Sequence, residues 1–505
     1  MELRNVVLDG APLARADVTA VARGAAVATL DEAARARIEA AARLVAEVVA
    51  DGRAIYGVTT GFGSLESVRI ADDDLAALQR NIVRSHAAGV GDPLPVEVVR
   101  AMLVLLAASL VRGHSGVRPI VVDALLGLLR TGWTPIVPSR GSVGASGDLA
   151  PLAHLALVLL GEGEAIGPGG ERRPGAEALR AAGIAPIVLG PKEGLALLNG
   201  THLMAALACL ALDEAEHLLE AALVAAAMSL DALLGSASPF DDRLHAVRGR
   251  ERQRAAAARV RELLDGSAML ASHAGCARVQ DAYTLRCIPQ VLGAIGEALD
   301  YANRALEPEL GAVTDNPLLF VDDGEVLSGG NFHGQPLSLP LDLLAIAMQE
   351  LAAFSERRVY RLMDGRGDEF ALPPFLIADP GTRSGLMIAQ YTAASLVAEA
   401  AVLAHPAGVG SLPTSAGQED FNSMGATAGL QAREVLALAR RVVAIEFLCA
   451  AQGFDLRRPL ASGPRLEEAH ARVRRVSPPL DDDRSTAAEI EALADAIADG
   501  AFSGI

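Results

Sequence analysis

Aromatic side chains are scarce, with Phe, Trp and Tyr together at 3% of 505 residues. The 51% hydrophobic share rests instead on alanine, and alanine, leucine, glutamate and arginine all favour helix. With only 21% charged residues against that share, a disordered chain is excluded. Positive charge is in deficit: 44 Lys and Arg against 62 Asp and Glu leave −18. An acidic surface repels phosphate backbones, so no nucleic-acid partner is expected. The four cysteines, at 209, 276, 287 and 449, lack any paired metal-ligand spacing. Scattered thiols at that density fit a reducing compartment. No H-E-x-x-H occurs, and His86, His114, His154, His202 and His333 are spread out, so no metal is expected. The start, MELRNVVLDGAPL, has no basic region leading into an apolar core and does not read as a signal peptide. One long stretch, Gly194 to Leu212, carries no formal charge. Asn199, Gly200, Thr201 and His202 interrupt it, so a buried helix with a polar entry loop fits better than a membrane span. These features lead us to expect a cytoplasmic protein with no membrane partner.

The length corresponds to about three units. We divide the chain into an N-terminal region at 1–200, a long-helix region at 201–455 and a helical segment at 456–505. No repeat or low-complexity linker interrupts it. Residues 31–50 and 72–111 have helical spacing. Between them, AIYGVTTGFGSLESVRI, with Gly57, Gly61 and Gly63, reads as a mobile loop. Residues 131–149 form a second irregular segment, and 165–175 a surface turn. Farther on, Leu341, Leu344, Met348 and Leu351 make one buried helical stripe, and Val435, Leu438, Val442 and Ile445 another. Loops at 314–334, with a hairpin turn at Asp322-Asp323-Gly324, and at 405–425 separate the helices. The expected fold is mainly α, a long antiparallel helix bundle with a loop-rich N-terminal region carrying the functional groups.

The most unusual run is GSVGASGDLAPLAH at 141–154. One reading is a turn capping a helix, with Asp148 as N-cap and Pro151 in the first turn. A serine nucleophile elbow fails because Asp148 stands where its last glycine belongs. A phosphate loop fails because no Lys-Ser/Thr follows the glycines. A third reading uses the backbone. If Ala145, Ser146 and Gly147 are held bent, the Gly147 amide nitrogen can attack the Ala145 carbonyl carbon, and glycine offers least resistance to such a turn. Loss of water, including the Ser146 hydroxyl, leaves a ring with an exocyclic methylene, a strong electrophile.

This run resembles the core motif of the aromatic amino acid ammonia-lyase family, whose members form 4-methylidene-imidazol-5-one (MIO) from Ala-Ser-Gly. YGVTTGFG at 56–63, LLNGT at 197–201, VQDAYTLRC at 279–287, SGGNFHG at 328–334 and TSAGQED at 414–420 agree with it in order. The C-terminal AIEFLCAAQGFDLR and PPLDDDRSTAAEIEALADAI resemble its histidine-specific members. The resemblance implies MIO from Ala145, Ser146 and Gly147, with no external cofactor. It implies Tyr56 as the base for the β-proton, although alone Tyr56 reads as a packed loop tyrosine. Asn199 and Tyr283 match residues that steady the MIO carbonyl and substrate. Arg286, otherwise an ordinary solvated arginine, matches the carboxylate clamp, and Gln280 falls beside it on a helical count. Phe332 matches an aromatic wall, though it reads equally as core.

Ser85, His86 and Glu419 bear on the substrate. The family pair at 85–86 faces the substrate ring, and a polar pair suits an imidazole better than a phenyl ring. Glu419 can accept an imidazole N–H. Taken singly, each reads as a surface or capping group. Several positions depart from the histidine-specific pattern: His202, Phe421-Asn422, Ala282 and Ala400. The resemblance implies elimination of ammonia from L-histidine to trans-urocanate, with tyrosine, phenylalanine or an aminomutase reaction as the alternative. It also implies a homotetramer with sites built from loops of three subunits. Ring formation removes two waters, so intact-mass measurement should find the chain lighter by two waters, and Ser146→Ala unable to lose the second of them. An unshifted native chain would mean no electrophile.

Overall fold

Helix-forming residues dominate, and so do helices: the described residues contain nineteen α-helices and four small sheets of two or three strands. The computed structural model describes residues 3–61, 68–275, 279–366 and 371–505. Gly63 and Cys276, noted in the sequence, lie outside them.

Several local expectations hold for identifiable reasons. Glu32–Ala50 begins where the Asp31 carboxylate accepts from the amides of Ala33 (2.9 Å) and Ala34 (3.1 Å). The turn at 165–175 joins the antiparallel strands Glu164–Ile166 and Arg172–Pro174. Leu318–Phe320 pairs with Glu325–Leu327 around Gly324, which takes φ +64°. The stretch at 72–111 differs from the single helical run expected. It contains two helices, Leu75–His86 and Val96–Leu110, with the strand Val90–Pro93 between them. Gly91 at φ +89° and the pair Pro93 and Pro95 stop the helix there.

Three helices are long: His202–Ala232, Gln335–Met363 and Gly425–Arg457. Their charge-poor faces are buried, including both stripes read from the sequence. The break before the first of them is Asn199-Gly200-Thr201, which separates it from the short helix Glu193–Leu198. These three run parallel rather than antiparallel. Gly425 lies against Met204 and Ser338, and four residues later Gly429 lies against Leu207 and Leu341. The segments between them contain further helices, among them Ile288–Leu306 and Met387–Leu403, and are long enough to carry the chain back, so the three need not alternate in direction.

By internal contacts the chain divides into two units, each made of three segments. The first comprises Met1–Leu210, Asn303–Leu341 and Pro406–Leu430. The second comprises Ala211–Ala302, Asp342–His405 and Gln431–Ile505. In the second unit a fully buried Arg358 donates to both oxygens of Glu446 (2.5 and 2.7 Å), which also accepts from Ser229 and Ser355. Such a pair is tolerable in a core only because its remaining lone pairs are used. Two helices among the described residues, Gln335–Met363 and Met387–Val409, are long and apolar enough to cross a membrane by length and composition. The apolar window of the first is 61% buried inside the chain, and that of the second 17%.

Candidate active site

The glycines of the 141–148 run serve its bend. Gly144 and Gly147 take φ +68° and +75°. Gly147 bridges to Gly200, and a Cβ on Gly147 would stand 2.1 Å from the Gly200 carbonyl oxygen. No other residue fits that approach. The Asp148 amide donates to the same oxygen (2.7 Å), and the Gly200 amide reaches the Ser146 carbonyl (3.4 Å). On the other side, the Met424 amide donates to the Val143 carbonyl (2.9 Å) and the Ser423 hydroxyl to the Gly144 carbonyl (3.3 Å). Ala145, Ser146 and Gly147 are thus bent and gripped from both flanks.

Asp148 occupies the expected N-cap position of the helix Leu149–Leu159, yet its side chain makes no cap there. Instead Oδ2 accepts from the amides of Leu203 (2.9 Å) and Met204 (3.0 Å), capping the first turn of His202–Ala232, and Oδ1 accepts from Ser142 Oγ (3.0 Å). The carboxylate is buried against the start of His202–Ala232, whose first-turn amides reach it, whereas Pro151 leaves its own helix without an amide at the third position. Burial nonetheless pushes its pKa up to about 7, against the lowering effect of those donors.

A cavity of about 910 Å³ opens above this bend, within the first unit. Its walls include Tyr56, His86, Ala145, Ser146, Asn199, Phe332 and Glu419. Ser85 stands just behind, its hydroxyl 3.0 Å from His86 Nδ1 and donating to the Ile82 carbonyl (3.1 Å). Gln280, Tyr283 and Arg286 belong to the second unit. There Gln280 and Arg286 line a different cavity of about 930 Å³. The helix Tyr283–Arg286 is only four residues, so Gln280 lies before it and the helical grouping is confined to Tyr283 and Arg286. The Arg286 guanidinium stacks 4.6 Å from the Tyr283 ring, and Tyr283 is 70% exposed.

The polar groups on the first cavity are set by their neighbours. Glu419 Oε1 accepts from Ser146 Oγ (3.1 Å) and Oε2 from Thr414 Oγ1 (2.6 Å). Burial lowers the His86 pKa, outweighing the Ile82 carbonyl and the Glu419 charge, so the neutral imidazole is favoured. Asn199 Nδ2 donates to the Asn316 carbonyl (3.2 Å), while its buried Oδ1 has no hydrogen-bond partner among the described residues. Asn316 is backed by Asp315, which pairs with the buried Lys192 at 2.5 Å. Thr414 and Asn316 carry no signal of their own in the sequence. Thr414 lies inside a quoted motif, but the contact of Asn316 with Asn199 joins segments more than a hundred residues apart.

A profile described as aromatic amino acid lyase matches residues 13–475. The chain belongs to that family. Histidine ammonia-lyase from Anaeromyxobacter sp. (strain K) is 53% identical over 99% of both chains. That from Symbiobacterium thermophilum is 51% identical over 97% of this chain and 96% of its own. Among solved structures, histidine ammonia-lyase from Trypanosoma cruzi is 40% identical, with TM-score 0.91 over 99% of this chain and 94% of that one. Tyrosine aminomutase from Streptomyces globisporus is 36% identical, with TM-score 0.93 over 99% and 97%.

The chain is a carbon–nitrogen lyase of the MIO-dependent type, its prosthetic group made from its own Ala145-Ser146-Gly147 with no external cofactor. The residues present fit that group. The bend leaves no room for a side chain at Gly147, and the unpartnered Asn199 oxygen is a polar atom on the same wall.

His202, at the start of the helix that Asp148 caps, is 5% exposed with neither ring nitrogen partnered among the described residues. Burial lowers its pKa to about 4, against an ordinary 6.5. A depressed histidine pKa stabilises the fold fully above the ordinary value, and that contribution is lost as pH falls toward 4. His202→Gln should therefore flatten the loss of unfolding free energy between pH 6.5 and 4, by up to about 1.4 kcal/mol per pH unit. Denaturant titrations across that range measure it; parallel curves for both proteins would mean that His202 is not buried neutral.

Proposed function

We propose that this protein eliminates ammonia from L-histidine to give trans-urocanate, in the first step of histidine breakdown. The observation that carries the reading is that a half-buried His86 and Glu419 line one cavity, with Glu419 beside Ser146. Relatives named histidine ammonia-lyase at about half identity over nearly the full chain support it. The MIO group, formed from Ala145-Ser146-Gly147, would supply an electrophilic methylene beside the substrate, the chemistry needed to make an amine a leaving group.

The chain's own side chains do the rest. Tyr56 is the base for the β-proton, and Phe332 covers the substrate ring. Glu419 accepts an imidazole N–H, His86 meets the other side of the ring, and Ser85 steadies His86 through its ring nitrogen. Asn199 would hold the carbonyl of the MIO group through the second N–H of its side-chain amide, the first being given to Asn316. Arg286 binds the substrate carboxylate in bidentate fashion, with Tyr283 beneath it and Gln280 nearby. Offering L-histidine, L-tyrosine and L-phenylalanine separately, and following ultraviolet absorbance of the conjugated acid, should give urocanate alone. Coumarate, cinnamate or a β-amino acid would instead assign the chain to the tyrosine, phenylalanine or aminomutase branch.

The three last-named residues come, in this reading, from neighbouring copies in a cytoplasmic homotetramer. The exposure of Tyr283 and the thinly covered apolar helix Met387–Leu403 support it. The described cysteines, none of them in a disulfide, fit a reducing compartment. Ser146→Ala and Arg286→Ala, each inactive alone, should regain measurable activity when coexpressed, because mixed tetramers contain intact sites. No recovery in purified mixed tetramers would place all of these groups in one chain.

A further inference from the structure

Behind the cavity wall, Glu419 ends a short chain of side-chain hydrogen bonds. Oε1 accepts from Ser146 Oγ (3.1 Å) and Oε2 from Thr414 Oγ1 (2.6 Å). The Thr414 hydroxyl in turn accepts from Asn422 Nδ2 (3.3 Å). A hydroxyl has one proton, and with Asn422 donating to its lone pair that proton is directed at Glu419. Asn422 is itself buried and anchored, its backbone amide donating to Ser411 Oγ (2.7 Å) and its side-chain amide also to the Leu412 carbonyl.

The backbone closes the same loop. The Thr414 amide donates to the Glu419 carbonyl (2.9 Å), and the Glu419 amide returns to the Thr414 carbonyl (3.3 Å). Between them Ser415 and Ala416 take left-handed φ of +50° and +54°, unfavourable for residues with a Cβ. Such strain persists only where the surroundings over-determine the conformation, and it gathers at working sites.

Resting on the reading that Glu419 meets the substrate ring, we propose that Thr414, backed by Asn422, is a positioning residue that fixes the Glu419 carboxylate. Thr414 is absent from the cavity lining and acts only through Glu419. With Oε2 held from behind, Oε1 stays turned to the Ser146 side, and loss of the Ser146 hydroxyl on ring formation leaves that oxygen open to accept a ring N–H. A free glutamate would sample several rotamers and present that oxygen only part of the time.

A double-mutant cycle tests this, reading kcat and KM for L-histidine in purified enzyme whose two-water mass loss and melting temperature are checked first. Thr414→Val removes the hydroxyl at nearly constant size and should lower kcat on the order of 100-fold, with a smaller change in KM. Thr414→Ser should restore kcat to within a few-fold. In a Glu419→Gln background, Thr414→Val should cost less than about threefold, because the two residues act as one unit. An equal loss in both backgrounds would make Thr414 merely structural and overturn the proposal, as would wild-type kcat in Thr414→Val. Should Thr414→Val fail to mature, Asn422→Asp draws the Thr414 proton away from Glu419 without changing size. It should reproduce the fall in kcat, and unchanged kinetics there would overturn the proposal too. A native enzyme that releases no urocanate would instead overturn the substrate reading, before any variant is made.

Discussion

Everything at the site depends on how closely the backbone of Gly147 lies against that of Gly200. That approach needs a residue without a side chain at 147, and it fixes the bend of Ala145-Ser146-Gly147 from below. Asp148 makes it durable. Its amide donates to the Gly200 carbonyl, while its carboxylate caps the helix that begins two residues after Gly200. One residue therefore ties the reactive loop to the end of a rigid rod by both backbone and side chain. The burial that raises its pKa shows that solvent is kept from this junction.

The rods explain why the loop can be held so tightly. The starts of His202–Ala232, Gln335–Met363 and Gly425–Arg457 meet around Met204, Ser338 and Gly425. Parallel packing brings three helix N-termini to one place, where unsatisfied amides and the positive ends of helix dipoles favour carboxylates and developing negative charge. An antiparallel arrangement would have placed opposite dipole ends there. The polar loops leading into these helices are carried with them, so Asn199, Phe332 and Glu419 reach one cavity from three distant parts of the chain.

Function then divides between two kinds of group. Some side chains are fixed by buried contacts: Asn199 by Asn316 and the Lys192–Asp315 pair behind it, and Glu419 by Thr414. Others, such as Tyr283 with Arg286 stacked on it, stand in the second unit on an exposed surface. The proposed supply of Arg286 by another copy would link catalysis to assembly. The apolar helix Met387–Leu403 is little covered within its own chain.

The amino-acid sequence by itself determined the mainly helical class, the hairpin at Asp322-Asp323-Gly324, the buried stripes and the reactive triplet. Each of these is written in local spacing, in turn chemistry or in one contiguous motif. It also marked Tyr56, His86, Asn199, Phe332 and Glu419, through their positions in motifs shared with the family rather than through local spacing. Only the tertiary structure decided that the long helices run parallel and that Asp148 caps a helix other than its own. It alone placed Thr414 behind Glu419, and Gln280, Tyr283 and Arg286 in a separate unit. The physical reason is distance along the chain. Caps, hydrogen-bond relays and helix direction depend on contacts between segments tens to hundreds of residues apart, and no periodicity within a segment records which distant amide or hydroxyl it will meet.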